Sequence, residues 1–181
     1  MRALALLQKR RPKLHAIIGG QDRIAYGPRM PEGRSWKAEM LRTLDLDESR
    51  LHWPGLLPRA QWRALLQSTH VHVYLTVPFV LSWSLIEAMA TGAPLVASRT
   101  APVLEALEHD VSASLVDHAD AEALAAAIAA LLDDRAKAKR LGAGARATAR
   151  RRYAAEWLHP ARAEMFSELV RGRLAASARG S

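Results

Sequence analysis

Val71–Ser98 reads VHVYLTVPFVLSWSLIEAMATGAPLVAS, and it carries the clearest signal of the fold. Its first residues are rich in β-branched and aromatic side chains, which favours a strand. A proline-containing loop follows, and a helix is predicted over residues 83–91 that ends at Gly92. Pro94 leads into a second strand at Leu95–Ala97. Two strands joined by a helix, without a hairpin turn, predict a parallel β-α-β unit.

The same alternation of strand and helix continues on both sides of this unit. The elements predicted upstream are a helix over 2–10, a strand at Leu14–Ile18, a loop over 21–34, a helix from Ser35 to Leu44, a strand at Leu51–Trp53 and a helix that begins at Pro58. Those predicted downstream are a short helix from Pro102 to about His109, a strand at Ala113–Val116, a helix capped by Asp120, and helices over about 134–152 and 155–171. The pattern predicts an α/β fold, a doubly wound, Rossmann-like parallel sheet covered on both faces.

Length and composition indicate one globular domain. The 181 residues suffice for a single core, which we expect to span residues 1–174, with 175–181 as a disordered tail. The absence of cysteine excludes disulfides, thiolate catalysis and cysteine-ligated metals, and it fits a cytoplasmic location. Apolar runs fall short of the roughly 18 residues that span a bilayer.

The net charge of +8 is concentrated in one segment. Residues 135–152 contain eight basic side chains and no acidic one. Such a run is usually the solvated face of a helix, and the alternative is contact with anionic lipid or a phosphorylated acceptor. This second reading predicts a peripheral contact with the inner face of a membrane. Nucleic-acid binding is disfavoured because no aromatic residues are interleaved with the basic ones.

The start of the helix at 83–91 is a candidate site for phosphate. Free backbone N–H groups and the helix dipole favour an anion there, so the amides from Leu81 to Ser84 are candidate donors to a diphosphate. Glu87 would lie deeper, as an acceptor for hydroxyl groups. The spacing of Ser84 and Glu87 also fits a capping box, in which Glu87 only caps its own helix.

The segment LIEAMATGAPLVAS resembles the signature of retaining glycosyltransferases of the GT-B fold, the family 4-like glycosyl transferases group 1. That family carries Glu-x(7)-Glu, in which Ala-Met-Ala, a Gly and Pro-Val-Val-Ala-Ser follow the second Glu. Here Glu87 occupies the second position. Further stretches that resemble the family in the same order are Leu14–Gly20, Leu51–Leu57, Thr100–Pro102, Leu115–Val116 and 120–132.

The resemblance implies that the chain is the C-terminal, donor-binding half of such an enzyme. A nucleotide-diphosphate sugar would be its substrate, the transferred group a hexosyl unit and the acceptor a glycan or a lipid-linked molecule, with no metal or other cofactor required. Glu87 would hold the ribose hydroxyls. The other residues implied in donor binding are Leu81, Ser82 and Trp83 at the diphosphate, Leu56 and Leu57 at the base, and Gly19 and Gly20 at a close backbone approach.

The sequence departs from the family at several points: Thr100-Ala101 replaces a glycine pair, Val103 replaces a Glu, and two further departures bear on activity. Phe79 stands where the family has its first Glu, so the catalytic residue is unassigned. The N-terminal acceptor domain is expected to be absent from this chain, and the first β-α unit of this half is expected to be truncated. The chain is therefore expected to be inactive alone, and the alternative is a non-catalytic nucleotide-binding or interaction module. Seven histidines suggest no metal site, because His70 and His72 lack a third ligand at a suitable spacing, and the five tryptophans are expected in the core.

Overall fold

A computed structural model of the chain describes residues 1–23, 31 and 34–177. The first half contains α1 (Arg2–Arg10), β1 (Ala16–Gly19), α2 (Trp36–Thr43), a 3₁₀ turn (Glu48–Arg50), β2 (Leu51–Gly55), α3 (Arg59–Ser68) and β3 (His72–Tyr74). The second half contains α4 (Trp83–Thr91), β4 (Leu95–Ser98), α5 (Ala101–Ala106), β5 (Ser114–Val116), α6 (Ala121–Asp133), α7 (Arg135–Tyr153) and α8 (Ala155–Ser177). The order confirms the α/β class. Most of the predicted loop 21–34 lies outside the described residues.

The strands in the described part of the chain all pair in parallel. β1 pairs with β2, with Ile17 opposite His52. β4 lies between β3 and β5, so Val96 has Val73 on one side and Ser114 on the other. The sequence predicted a single sheet, whereas hydrogen bonds join the described strands into one group of two and one of three.

β4 shows that the three-stranded group is covered on both faces. Leu95 and Ala97 are buried in a cluster with residues of α4, α5 and α7. Val96 is buried in a second cluster, formed mainly by α1, α6 and the first half of α7. Successive side chains of a strand point to opposite faces. The helices therefore cover both sides of this strand, as the doubly wound prediction requires.

Local capping signals place several helix ends. Ser35 and Asp120 each accept a hydrogen bond from the backbone N–H three residues on, at 3.1 and 2.8 Å. Gly92 ends α4 in the left-handed conformation, with φ at 77°, which a residue without Cβ adopts at little cost. The prediction for Pro58 is wrong by one position, because Pro58 is the N-cap and Arg59 the first helical residue.

Several other boundaries differ from those predicted, such as that of β1, which begins at Ala16 instead of Leu14. β2 continues through Pro54 to Gly55, which a strand paired on one side tolerates because proline lacks only one hydrogen-bond donor. α5 ends at Ala106 instead of about His109, because the backbone becomes extended at Leu107. α8 reaches Ser177, so it includes the first residues of the expected tail, and residues 178–181 lie outside the described residues.

The position of α4 depends on a close contact with α7. A Cβ added to Gly142 of α7 would lie only 2.2 Å from the carbonyl oxygen of Gly92. The buried side chains Ala145 and Ala149 continue the same face of α7 into the cluster that holds Leu85 of α4. Backbone therefore packs directly on backbone at the end of α4, and this contact fixes the helix that carries the candidate site.

Candidate functional site

α4 begins after β3 and its loop, at the carboxyl edge of the three-stranded group. Ser82 is the N-cap, and its hydroxyl accepts the backbone N–H of Ser84 at 3.2 Å. Trp83, the first helical residue, is 80% exposed, so its assignment to the core is wrong. Leu85 is buried and lies about 200° further round the helix axis than Trp83. Trp83 is therefore on the face of α4 that points away from the core. Trp36 is also exposed, on the first turn of α2.

The amides at the start of α4 already have internal partners. The backbone N–H of Ser82 donates to the hydroxyl of Tyr74 at 3.2 Å, and that of Ser84 donates to Ser82. Leu81 packs partly against the core and holds the loop to the sheet. A diphosphate at this helix start would bind the Trp83 amide or replace these contacts, so the diphosphate role of these residues stays a prediction.

The loop between β3 and α4 is anchored at one end and apolar at its surface. The buried hydroxyl of Ser98 accepts the backbone N–H of Thr76 at 3.0 Å. Val77, Phe79 and Val80 are exposed, Phe79 by 60%. An exposed aromatic ring therefore occupies the position at which the resemblance expects a carboxylate, and no catalytic residue is assigned there.

The carboxylate of Glu87 does not cap its own helix. Ser82 is the cap of α4, five residues before Glu87, so the capping box from Ser84 to Glu87 is wrong. Instead, Oε2 of Glu87 accepts a hydrogen bond from the indole Nε1–H of Trp62 at 2.9 Å. Glu87 is partly exposed. A carboxylate has about four lone-pair sites, and within the described part of the chain the Trp62 N–H uses one of them.

Trp62 of α3 lies near two of the predicted site residues, Glu87 and Gly19. A Cβ added to Gly19 would lie 3.8 Å from Cζ3 of its ring, and the edge of His72 meets the ring at a centroid distance of 5.9 Å. Sequence reasoning missed this residue, because its spacing with Leu65 and Leu66 indicated a core position. The available signal was chemical, since a partly buried indole N–H usually needs an acceptor.

The remaining predicted residues lie at the ends of β1 and β2. Gly19 ends β1, and Gly20, at φ 132°, donates its backbone N–H to the carbonyl of Gly55 at 2.9 Å. Leu56 is 68% exposed and Leu57 is partly buried in the short connection to α3. Both ends belong to the same edge of a parallel pair. The contact of Trp62 with Gly19 and Glu87 links this edge to α4.

A groove of about 470 Å³ lies between α3 and α4. The residues that line it are Arg59, Ala60, Trp62, Arg63, Leu66, Glu87, Ala90 and Thr91. Arg59 and Arg63 bring positive charge to the groove that also contains the Glu87 carboxylate. The groove therefore combines positive charge with an acceptor for hydroxyl groups. Its lining includes the predicted residue Glu87, whereas Ser82 and Trp83 at the start of α4 lie outside it.

The basic residues of 135–152 are partly used within the fold. Lys137 Nζ lies 2.9 Å from a carboxylate oxygen of Asp110, and this hydrogen bond holds the pKa of Asp110 below its usual range. Arg140 donates to the Asp110 carbonyl at 2.6 Å, and Arg152 to the carbonyl of Glu105. These contacts favour a structural role for part of the charge. Among the described residues, no helix is both long and apolar enough to cross a bilayer.

Comparison with known proteins gives one family. The sequence profile described as "Glycosyl transferases group 1" matches residues 1–148. No curated protein matches the sequence significantly.

Solved structures share the fold. HepE of Anabaena, in complex with UDP, has a TM-score of 0.77 and 24% identity over 93% of this chain and 45% of its own. Sucrose-phosphate synthase from Thermosynechococcus elongatus has a TM-score of 0.73 and 23% identity over 97% of this chain and 42% of its own. The C-terminal domain of the glycosyl transferase group 1 protein LpcC from Francisella tularensis has a TM-score of 0.67 and 16% identity over 84% of this chain and 76% of its own. The chain thus spans less than half of the first two proteins.

Proposed function

The chain belongs to the glycosyl transferases group 1, as its sequence resemblance implied, and we propose that it binds the nucleotide-sugar donor of a retaining hexosyl transfer. The acceptor in this proposal is a glycan or a lipid-linked molecule. The fold is that of the C-terminal half of a GT-B glycosyltransferase. We propose further that the nucleotide sugar is the substrate and that no metal is required.

The observation that carries the proposal is the position of Glu87. Its carboxylate lies in the groove between α3 and α4, is held by Trp62, and keeps lone pairs for hydroxyl groups. The start of the same helix, at Ser82 and Trp83, is exposed and favours a phosphate. An acidic side chain beside a phosphate-binding helix start suits a ribose diphosphate. HepE, which shares the fold, has been solved with UDP and with UDP-glucose, which supports this class of ligand.

The contribution of the donor-binding half to the reaction is electrostatic in this proposal. Negative charge builds on the leaving diphosphate during transfer, and in this proposal the N-terminus of α4 stabilises that charge. Phe79 can neither carry charge nor accept a hydrogen bond through its side chain, so it cannot do the work of the carboxylate that the family has there. In this proposal the chain contributes the binding of the donor. The group that replaces the family's first carboxylate is not Phe79 and is unassigned.

Calorimetric titration of UDP, GDP and ADP into the chain tests the proposal. We expect selective binding of one of the three, which names the base. Glu87→Ala should weaken that binding by about 1.5–3 kcal/mol, because a charged acceptor of the ribose hydroxyls is lost. Glu122→Ala, at an exposed position of α6, is the matched control and should bind like the wild type. A folded chain that binds none of the three, or a Glu87→Ala variant with unchanged affinity, would contradict the proposal.

The second candidate is a non-catalytic nucleotide-binding module, which Phe79 favours. Both candidates bind the nucleotide, and they differ in turnover by the complete enzyme. Release of nucleoside diphosphate from the donor by the 181-residue chain alone is not expected under either. The membrane contact of residues 135–152 and the cytoplasmic location stay predictions.

A further inference from the structure

The contact between Trp62 and Glu87 has the geometry of a positioning device. Nε1–H of Trp62 donates to Oε2 of Glu87 at 2.9 Å, and both side chains line the same groove. The donor and the acceptor belong to different helices and are 25 residues apart in sequence. Glu87 projects from α4, and the hydrogen bond holds its carboxylate at a fixed place relative to α3.

The indole ring is itself held in place. It packs against the buried cluster that contains Leu66 and Leu85, and the imidazole of His72 meets it nearly edge-on, at 75° between the ring planes. Gly19 lies close to the ring as well, since a Cβ added there would be in van der Waals contact with Cζ3 at 3.8 Å. A ring packed in this way gives its N–H a fixed direction.

We propose that Trp62 positions Glu87 for the ribose diol of the donor and so makes the groove selective for ribonucleotides over deoxyribonucleotides. This inference rests on the proposed function of the site. The terminal torsion of a glutamate is broad, so a free carboxylate would lose rotational freedom when it binds a diol. With Oε2 directed by Trp62, Oε1 and a second lone pair of Oε2 face the groove already oriented.

The positioning role of Trp62 depends on which lone pairs of the Glu87 carboxylate it occupies. Trp62 and the ribose hydroxyls would all donate to the Glu87 carboxylate, so the indole takes one of its roughly four lone-pair sites and the hydroxyls use others. It leaves room for two hydroxyl contacts. Removal of the N–H with the ring retained should therefore weaken only those ligand contacts that run through Glu87.

The test is a comparison of two ligands in two variants by calorimetry. The probes are the nucleoside diphosphate that binds the wild-type chain and its 2′,3′-dideoxy analogue. Trp62→Phe keeps an aromatic ring and removes the N–H. We expect its affinity for the ribonucleotide to fall about two- to tenfold, which is the cost of immobilising one side chain, while its affinity for the dideoxy analogue is unchanged. Trp36→Phe, at an exposed tryptophan of α2, is the matched control and should change neither.

The outcomes separate this inference from the proposed function. An equal loss for both ligands in Trp62→Phe means that the ring only supports the fold, which overturns the inference. Retention of the full ribonucleotide preference in Trp62→Phe, with its loss in Glu87→Ala, also overturns the inference and leaves the proposed function intact. A wild-type chain that binds no nucleotide overturns both. In the expected case, Trp62→Phe has no further effect on ribonucleotide affinity in a Glu87→Ala background, because the two residues act through one contact.

Discussion

The contact between Gly142 and Gly92 gives the sharpest prediction for stability. In an exposed helix position, replacement of Gly by Ala stabilises by about 1 kcal/mol. Here the added Cβ would lie 2.2 Å from the Gly92 carbonyl oxygen and 3.1 Å from its carbon. Both atoms are backbone, so no flexible side chain can move away. The α4–α7 contact must open by roughly 1 Å to restore ordinary separation.

The two effects have opposite signs, and the steric one is larger. Overpacking a well-filled site costs typically about 1–3 kcal/mol, and an obstacle of backbone belongs at the upper end. After the helix gain is subtracted, Gly142→Ala should destabilise the chain by about 2 kcal/mol. For a chain of this size that corresponds to a fall in Tm of about 4–8 °C. Because Gly92 ends the helix that carries Glu87, the same displacement would disturb the candidate site.

Urea unfolding followed by circular dichroism measures the effect. Ala143→Gly is the matched control, since it changes the exposed neighbour on the same helix and should cost about 1 kcal/mol through helix propensity alone. The reasoning is refuted if Gly142→Ala is as stable as the wild type or more stable while the control loses its expected amount.

Two further predictions concern buried polar groups. Within the described residues, the buried hydroxyl of Thr100 has no hydrogen-bond partner, so Thr100→Val should raise the free energy of unfolding by about 1 kcal/mol; a loss of that size would show that the hydroxyl is paired. Burial lowers the pKa of His72 from its ordinary value of 6.5, so the unfolded chain binds more protons at acidic pH. The stability from this group is complete above about pH 6.5 and falls as the pH falls through the lowered pKa. His72→Phe should flatten this acid limb in urea titrations between pH 7 and 5, and an unchanged slope relative to the wild type would refute the assignment.

Much of the fold was predictable because its signals are local. The caps at Ser35 and Asp120 and the end of α4 at Gly92 each involve residues within about one helical turn, and all three were found from sequence. Boundaries were less accurate where a neighbour decides them. β2 continues through Pro54 because β1 supplies its partners on one side. The division of the strands into two hydrogen-bonded groups was not predicted from any local pattern.

Sequence patterns alone were enough to predict the α/β class and the order of the elements, and to single out Glu87 as a candidate site residue on a helix that begins after an apolar loop. The tertiary structure was needed to show what Glu87 contacts and which tryptophan donates to it. Trp83 and Trp62 have the same side chain, yet one is exposed on the first turn of α4 and the other donates to Glu87 from α3. Periodicity and capping report interactions within a few residues of the chain. A hydrogen bond between two helices depends on how they pack, and that is fixed by the whole core.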